Sequence, residues 1–238
     1  VHNTGPAGVH RLLVQDSRTM YLRDVVVCDL SGKILFRRDR VTDIDSLALS
    51  PDGQKLAFRT RRGLGYFSLP AGEMTLLPGT KEGSRSTGRT IGWSPDSNRI
   101  VYEADEQIFI YHLSAQTSTF LAPGDDPTWA PDGLWIAYRT PSPGNQAMLV
   151  TASGERSRLL LNGRTIKGRL AWSPDSRHLI FSDNPGQTFS SSVLGALALS
   201  PPLVGRQGLI RISDGQETTL QEGLPHVGQF IWVRGGPS

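Results

Sequence analysis

Ten side chains are spaced so that they could assemble one polar site. Ser46, Thr90, Asp126, Arg169 and Gln229 recur at the same point of a repeated pattern, and Arg59, Arg62, Glu103, Arg139 and His226 fall in the stretches that follow or precede it. Carboxylates and guanidiniums in such a set bind charged partners through charge-assisted hydrogen bonds. A carboxylate flanked by arginines could also serve as a general base on an anionic substrate. Metal chemistry is harder to build here. The five histidines, His2, His10, His112, His178 and His226, fall in different parts of the repeat, whereas a catalytic zinc needs three protein ligands. No metal site and no cofactor are expected. The chain has no Gly-x-Ser-x-Gly elbow, no His-Glu-x-x-His pair and no phosphate-cradling glycine loop, so no catalytic residue is assigned.

What positions these residues is a fourfold repeat. Leu47-Ala-Leu-Ser-Pro-Asp52, Ile91-Gly-Trp-Ser-Pro-Asp96, Pro127-Thr-Trp-Ala-Pro-Asp132 and Leu170-Ala-Trp-Ser-Pro-Asp175 share one pattern, and each leads into a short apolar run. A degenerate fifth copy is Gln229-Phe-Ile-Trp-Val233. Proline at the second turn position presets φ, and serine or aspartate bonds the nearby backbone, so each Pro-Asp stretch reads as a tight turn between two strands. A third run, a second turn and a fourth run follow, as in Gln107–Tyr111 and Arg158–Leu161. Each repeat is thus expected to be a four-stranded antiparallel meander. Meanders of about 40 residues around an axis are propeller blades, which bury both faces only by stacking on neighbours.

The expected fold is therefore all-β, one five-bladed propeller over 1–238. Its blades would fall at about 44–79, 88–123, 126–161 and 168–222, with the last made from 226–238 plus 9–40. In that last blade the N-terminal region offers three runs, His10–Gln15, Val25–Leu30 and Ile34–Arg38, and Phe230–Val233 supplies the missing strand. Such an interlock would close the ring and leave no open sheet edge between the chain ends.

The Trp-Ser-Pro-Asp pattern resembles the TolB-type propeller repeat, a WD40-like family, over roughly residues 41 to 233. The resemblance implies a propeller that docks a protein partner and, more loosely, a periplasmic or extracytoplasmic setting. TolB itself also has a sixth blade and a preceding α/β domain, for which this chain has no room.

Composition agrees with a turn-rich globular chain. Hydrophobic residues make up 37% and charged residues 20% of 238, with 26 Gly and 16 Pro. No apolar run reaches the ~18 residues of a membrane helix, so no membrane insertion is expected. The formal charge of +3 is spread among 22 acidic residues, a distribution that speaks against a nucleic-acid partner. Cys28, the only cysteine, reads as a small buried side chain in an apolar run. No charged-then-apolar leader follows Val1, so a targeting segment is expected to be absent or already removed.

Side chains alternate across a strand, so Trp93, Trp129, Trp172 and Trp232 should face a neighbouring blade rather than a ligand. Asp52, Asp96, Asp132 and Asp175 sit one to a turn and should bond their own turns. On the opposite strand face the small residues Ala48, Gly92, Thr128 and Ala171, with Ile231, suit a crowded axis. Ser46, Thr90, Asp126, Arg169 and Gln229 would then line the channel mouth on the side away from the Pro-Asp turns. The same polar groups would also suit the mere hydration of a water-filled channel. The longest departure from the repeat, Asp183–Gly208, reads as an insertion with a short apolar helix.

These residues support two functions. The first is a non-catalytic, monomeric scaffold docking a protein or peptide on the loop face around the channel mouth. The second is a propeller enzyme of lyase or glycoside hydrolase type acting on an anionic carbohydrate in the channel.

Overall fold

The computed structural model describes residues 2–4, 10–17, 22–29, 31–42, 44–60, 63–77, 90–141, 144–161, 166, 170–183 and 206–221. Within them the alternating apolar runs and Pro-Asp turns fold as twenty strands in five four-stranded antiparallel sheets. The first sheet holds β1 (His2–Thr4), β2 (His10–Ser17), β3 (Leu22–Asp29) and β4 (Ile34–Thr42). The second holds β5 (Ile44–Leu49), β6 (Lys55–Thr60), β7 (Gly63–Ser68) and β8 (Met74–Leu76). The third holds β9 (Ile91–Trp93), β10 (Arg99–Ala104), β11 (Gln107–His112) and β12 (Thr117–Pro123). The fourth holds β13 (Asp125–Trp129), β14 (Trp135–Arg139), β15 (Ala147–Thr151) and β16 (Ser157–Leu159). The fifth holds β17 (Ala171–Trp172), β18 (His178–Asp183), β19 (Arg206–Arg211) and β20 (Glu217–Gln221).

One feature of the first sheet differs from the sequence expectation. Its first position, assigned above to Phe230–Val233, is taken by β1, where His2 pairs with Leu12 and Thr4 with His10. His-Asn-Thr has no apolar alternation to mark it as a strand. Residues 222–238, including Gln229, Trp232 and His226, lie outside the described residues, as do the insertion over 184–205 and its expected helix.

Strand periodicity explains how the sheets pack. On β10, Ile100 and Tyr102 join a buried cluster with Ala57, Leu64 and Leu77 of the second sheet, while Val101 between them joins Trp129, Ile136 and Tyr138 of the fourth. The same division puts Leu56 and Phe58 of β6 against Val25, Val27 and Phe36 of the first sheet. In the fourth sheet Ala137 and Leu149 meet Trp172, Leu179 and Phe181 of the fifth. Each of these four interfaces is a buried apolar core, and each large side chain buried there stabilises by about 1.5–3 kcal/mol. Trp93, Trp129 and Trp172 lie in these cores, as alternation predicts. Cys28 is buried as well.

The turn chemistry also holds. Asp52, Asp96, Asp132 and Asp175 each accept the backbone N–H two residues on, at 2.9, 3.1, 2.9 and 3.0 Å. Ser50, Ser94 and Ser173 donate to the carboxylate of their own turn and accept the N–H of Lys55, Arg99 and His178, each at 2.9 Å. These bonds hold Asp175 and Asp96 below the usual carboxylate range. For Asp175 the Ser173 bond is the largest cause; for Asp96 the bonds outweigh a larger opposing effect of burial.

Candidate functional site at the loop ends of three sheets

Arg59, Glu103 and Arg139 occupy the same position near the loop end of the second strand in three successive sheets. Their parity is that of Ala57, Val101 and Ala137, which face the next sheet along the chain. Arg59 and Arg139 reach forward across an interface. Arg59 Nη1 donates to the Glu103 carbonyl at 3.4 Å and lies 3.9 Å from Glu103 Oε2. The Glu103 side chain is fully buried, and its Oε1 accepts the Glu106 N–H at 3.2 Å. Arg139 Nη1 donates to the Ile166 carbonyl at 3.3 Å, on the connection leading into the fifth sheet.

Arg139 is also held by two neighbouring aspartates. Its Nη2 donates to Asp126 Oδ2, and its Nε stands 2.9 Å from Asp125 Oδ1. Consecutive residues of a regular strand point to opposite faces. Asp125 and Asp126 escape that rule because β13 is bulged. Asp125 pairs with Arg139, Thr128 with Ala137, and Asp126 between them has φ +48°. A left-handed conformation is strained for a non-glycine residue and is found where surrounding structure enforces it. Here the enforcing contacts are the Arg139 guanidinium and Thr90, whose Oγ1 donates to Asp126 Oδ1 at 2.5 Å from the neighbouring sheet.

The Asp125 contact is of a different quality. At 2.9 Å it meets the distance of an ion pair, yet the Nε–H is not aimed at Oδ1, and both atoms are buried without a hydrogen-bond partner. Burial pushes the Asp125 carboxyl up to about 6; Arg139 opposes this, while Asp126 and Glu103 push it further. A carboxyl titrating there could exchange a proton near neutrality. Arg139 gives Nη1 to the Ile166 carbonyl and Nη2 to Asp126, and its Nε is buried facing Asp125. Among the described residues no group of three His, Cys, Asp or Glu side chains is placed to hold a metal.

Of the ten residues singled out by sequence, the structure brings Thr90, Asp126 and Arg139 into direct contact and joins Arg59 to Glu103. Ser46 pairs in register with Arg59 at the same end of the second sheet, beside a bulge between Ile44 and Ser46. Arg62, Arg169, Gln229 and His226 lie outside the described residues. Asp125 is the member that sequence reading left out of the site, and the Asp-Asp doublet ahead of Pro127 was the signal that could have found it.

No protein-family model matches the chain, and no curated protein does either. Solved structures do. A putative TolB from Agrobacterium tumefaciens aligns with TM-score 0.60 at 19% identity, covering 93% of this chain and 79% of that one. TolB from Acinetobacter baumannii aligns with TM-score 0.62 at 16% identity, over 91% of this chain and 55% of that one. An oligogalacturonate lyase in complex with manganese gives TM-score 0.64 at 15% identity, over 90% of this chain and 62% of that one. The chain shares the propeller fold of TolB and of these lyases. At such identities the likeness is one of fold. The four-stranded sheets described above are thus blades, and the Arg59–Arg139 network lies at the loop ends of three of them.

Proposed function

We propose that the chain is a non-catalytic binding scaffold built on a five-bladed ring. A protein or peptide partner docks on its loop face, around the channel mouth. The observation that carries this reading is a pair of links at the loop ends, Arg59 to Glu103 between the second and third sheets and Thr90 to Asp126, itself held by Arg139, between the third and fourth, which tie three successive blades together. Loops mounted on a fixed rim lose little freedom when a partner binds, so more of the contact energy appears as affinity. The charged groups themselves are spent on one another, which suits a platform better than a reaction centre. Likeness to TolB in fold supports the same reading.

A second reading has one specific observation in its favour. Asp125, raised to about 6 beside Arg139, is a group of the kind that moves protons in propeller lyases acting on anionic carbohydrate. Its buried Oδ1 and the burial of Arg139 beneath Asp126 weigh against it.

A photo-activated cross-linking residue separates these readings. It is placed at Glu106, exposed on the loop face, or at Gln54, exposed on the Pro-Asp turn face. In extract of the native source, the expected result is one stoichiometric protein adduct from position 106 and none from position 54. Adducts from 54 alone, or turnover of an acidic oligosaccharide that is lost in Asp125→Asn, would overturn the scaffold reading.

A further inference from the structure

The five sheets each end on an outer strand, and these edges are not alike. β8 and β16 are three residues long, β20 is five, and β12 ends on Pro123. β4 is the longest at nine residues, contains no proline, and among the described residues pairs only with β3. Its far side carries unpaired backbone N–H and C=O groups, a template to which another strand can add. The chain's charge also collects here. Lys33, Arg37, Arg38 and Arg40 against Asp39 leave +3 over residues 33–40, as much as the formal +3 of the whole chain. Arg37 is paired with Asp39 at 2.6 Å. Arg38 is exposed and makes no ion pair; its guanidinium lies 5.6 Å over the Phe67 ring. Phe36, two residues back on the same face, packs on Phe67 as well, with ring centroids 5.5 Å apart. The ring contact holds the free cation in place beside the open edge.

That charge selects the occupant. A second copy added to β4 would set Arg37 and Arg38 against arginines of its own kind, and like charges across a strand pair repel. A nucleic acid would meet Asp39 and has no peptide groups to pair with the edge. An extended acidic segment meets both demands, pairing its backbone with the edge and its carboxylates with the arginines. Register shifts on both sides leave Arg37 and Arg38 in the regular run between them, opposite Val26 and Val25, so the segment need only be short. We propose that the outer edge of the first blade docks an extended acidic segment of a partner protein, added as a fifth strand beside β4 with a carboxylate on Arg38. This surface is separate from the loop face, and the proposal does not rest on the docking reading given for that face.

The test uses the intact chain and a fluorescent peptide as long as β4, alternating glutamate with valine, read by anisotropy at low salt. Three companions are read beside it: the same peptide with lysine for glutamate, the acidic peptide with every backbone amide methylated, and a single-stranded oligonucleotide of equal charge. The acidic peptide is expected to bind one to one, and the other three about tenfold more weakly or worse. Arg38→Glu should weaken the acidic peptide by about tenfold, and Arg38→Gln by a smaller factor. If Arg38→Glu does not fold, Arg38→Gln decides, because it removes a charge from an exposed position and adds none. No binding of the acidic peptide, equal binding of the methylated form or of the oligonucleotide, or binding unmoved by the change at Arg38 would each overturn the proposal. Cross-linking from position 106 reads the loop face and is indifferent to all of these results.

Discussion

Trp93 donates its indole Nε1–H to the carbonyl of Ala48 at 2.9 Å, a bond that joins the first strands of two neighbouring blades. Trp172 repeats it onto Thr128 at 3.1 Å. Trp129, at the equivalent position between them, has a buried Nε1 with no acceptor, and the Arg99 guanidinium lies over its ring at 4.8 Å. The three tryptophans should therefore respond unequally to phenylalanine. Trp93→Phe and Trp172→Phe lose ring volume and strand a carbonyl; Trp129→Phe loses volume but removes an orphaned donor. In urea unfolding, Trp129→Phe should be milder than either of the others by about 1–2 kcal/mol. Equal losses at all three positions would mean that the indole bonds do not hold the blades together.

The Pro-Asp turns carry a second link between blades. Ser97 Oγ accepts the Asp52 N–H of the preceding blade at 3.1 Å, and Ser176 Oγ accepts the Asp132 N–H at 2.9 Å. Both serines hold a left-handed φ, +59° and +61°, at the turn position where Gly53 and Gly133 stand in the other two repeats. At the interface that should join Asp96 to position 133, glycine has no hydroxyl to offer. A Cβ there would meet Pro95 at no less than 3.6 Å, so it fits, though φ +76° strains it. Gly133→Ala should cost about 1 kcal/mol. Gly133→Ser should recover most of that loss by bonding Asp96, and Ser97→Ala should lose about as much. Thermal unfolding of the three variants checks the pattern; serine no better than alanine at 133 would refute it.

The blades were legible in the sequence because period-2 alternation and Pro-Asp turns are local signals with few alternative readings. Lys55–Phe58 and Arg99–Tyr102 were visible as apolar runs, and Leu56–Phe58 and Ile100–Tyr102 within them are buried in β6 and β10. The site was legible only in part, for a reason that lies in the backbone. Alternation assigns Asp125 and Asp126 to opposite faces, and the bulge that turns both toward Arg139 carries no glycine to announce it. The hairpin between β10 and β11 is similar. Its central residues Asp105 and Glu106 have φ +52° and +59°, the conformation usually marked by Asn-Gly. β1 was missed because its residues carry no apolar pattern.

That hairpin offers a stabilising change. Glu106 is exposed and held in a conformation that costs a non-glycine residue about 1 kcal/mol. Its backbone N–H is donated to Glu103. Glu106→Gly should keep that bond and raise the stability of the fold by about 0.5–1 kcal/mol. A midpoint in urea below that of the parent chain would show that the Glu106 side chain itself holds the turn.

Arg139 should be far less forgiving. Removing its guanidinium leaves Asp125 and Asp126 side by side in a buried place and the Ile166 carbonyl without its donor. Arg139→Met is expected to cost about 3–5 kcal/mol. Arg139→Lys should rescue little of it, since one ammonium cannot reach three acceptors in a fixed plane. The double change Arg139→Met with Asp126→Asn should lose less than the sum of the two singles, the mark of a direct interaction.

The pH dependence of stability separates Asp125 from the turn aspartates, because the two kinds of group shift in opposite directions. Asp96 and Asp175 are held below the usual range, so their contribution is present above the unfolded carboxyl value near 4 and is lost as pH falls through the lower folded values. Asp125 is raised to about 6. The folded chain binds its proton more tightly than the unfolded chain does, so its contribution is full below about 4 and is lost as pH rises through 6. For a shift of this size the loss is on the order of 3 kcal/mol. Asp125→Asn carries a neutral side chain at every pH and should remove that part alone. The difference in urea midpoint between variant and parent should therefore move in the variant's favour from pH 4.5 to pH 7.5, whatever its value at either end. A parallel offset at both pH values would place the Asp125 charge in solvent rather than between the blades. An offset moving the other way would mean that Arg139 stabilises the ionised form outright.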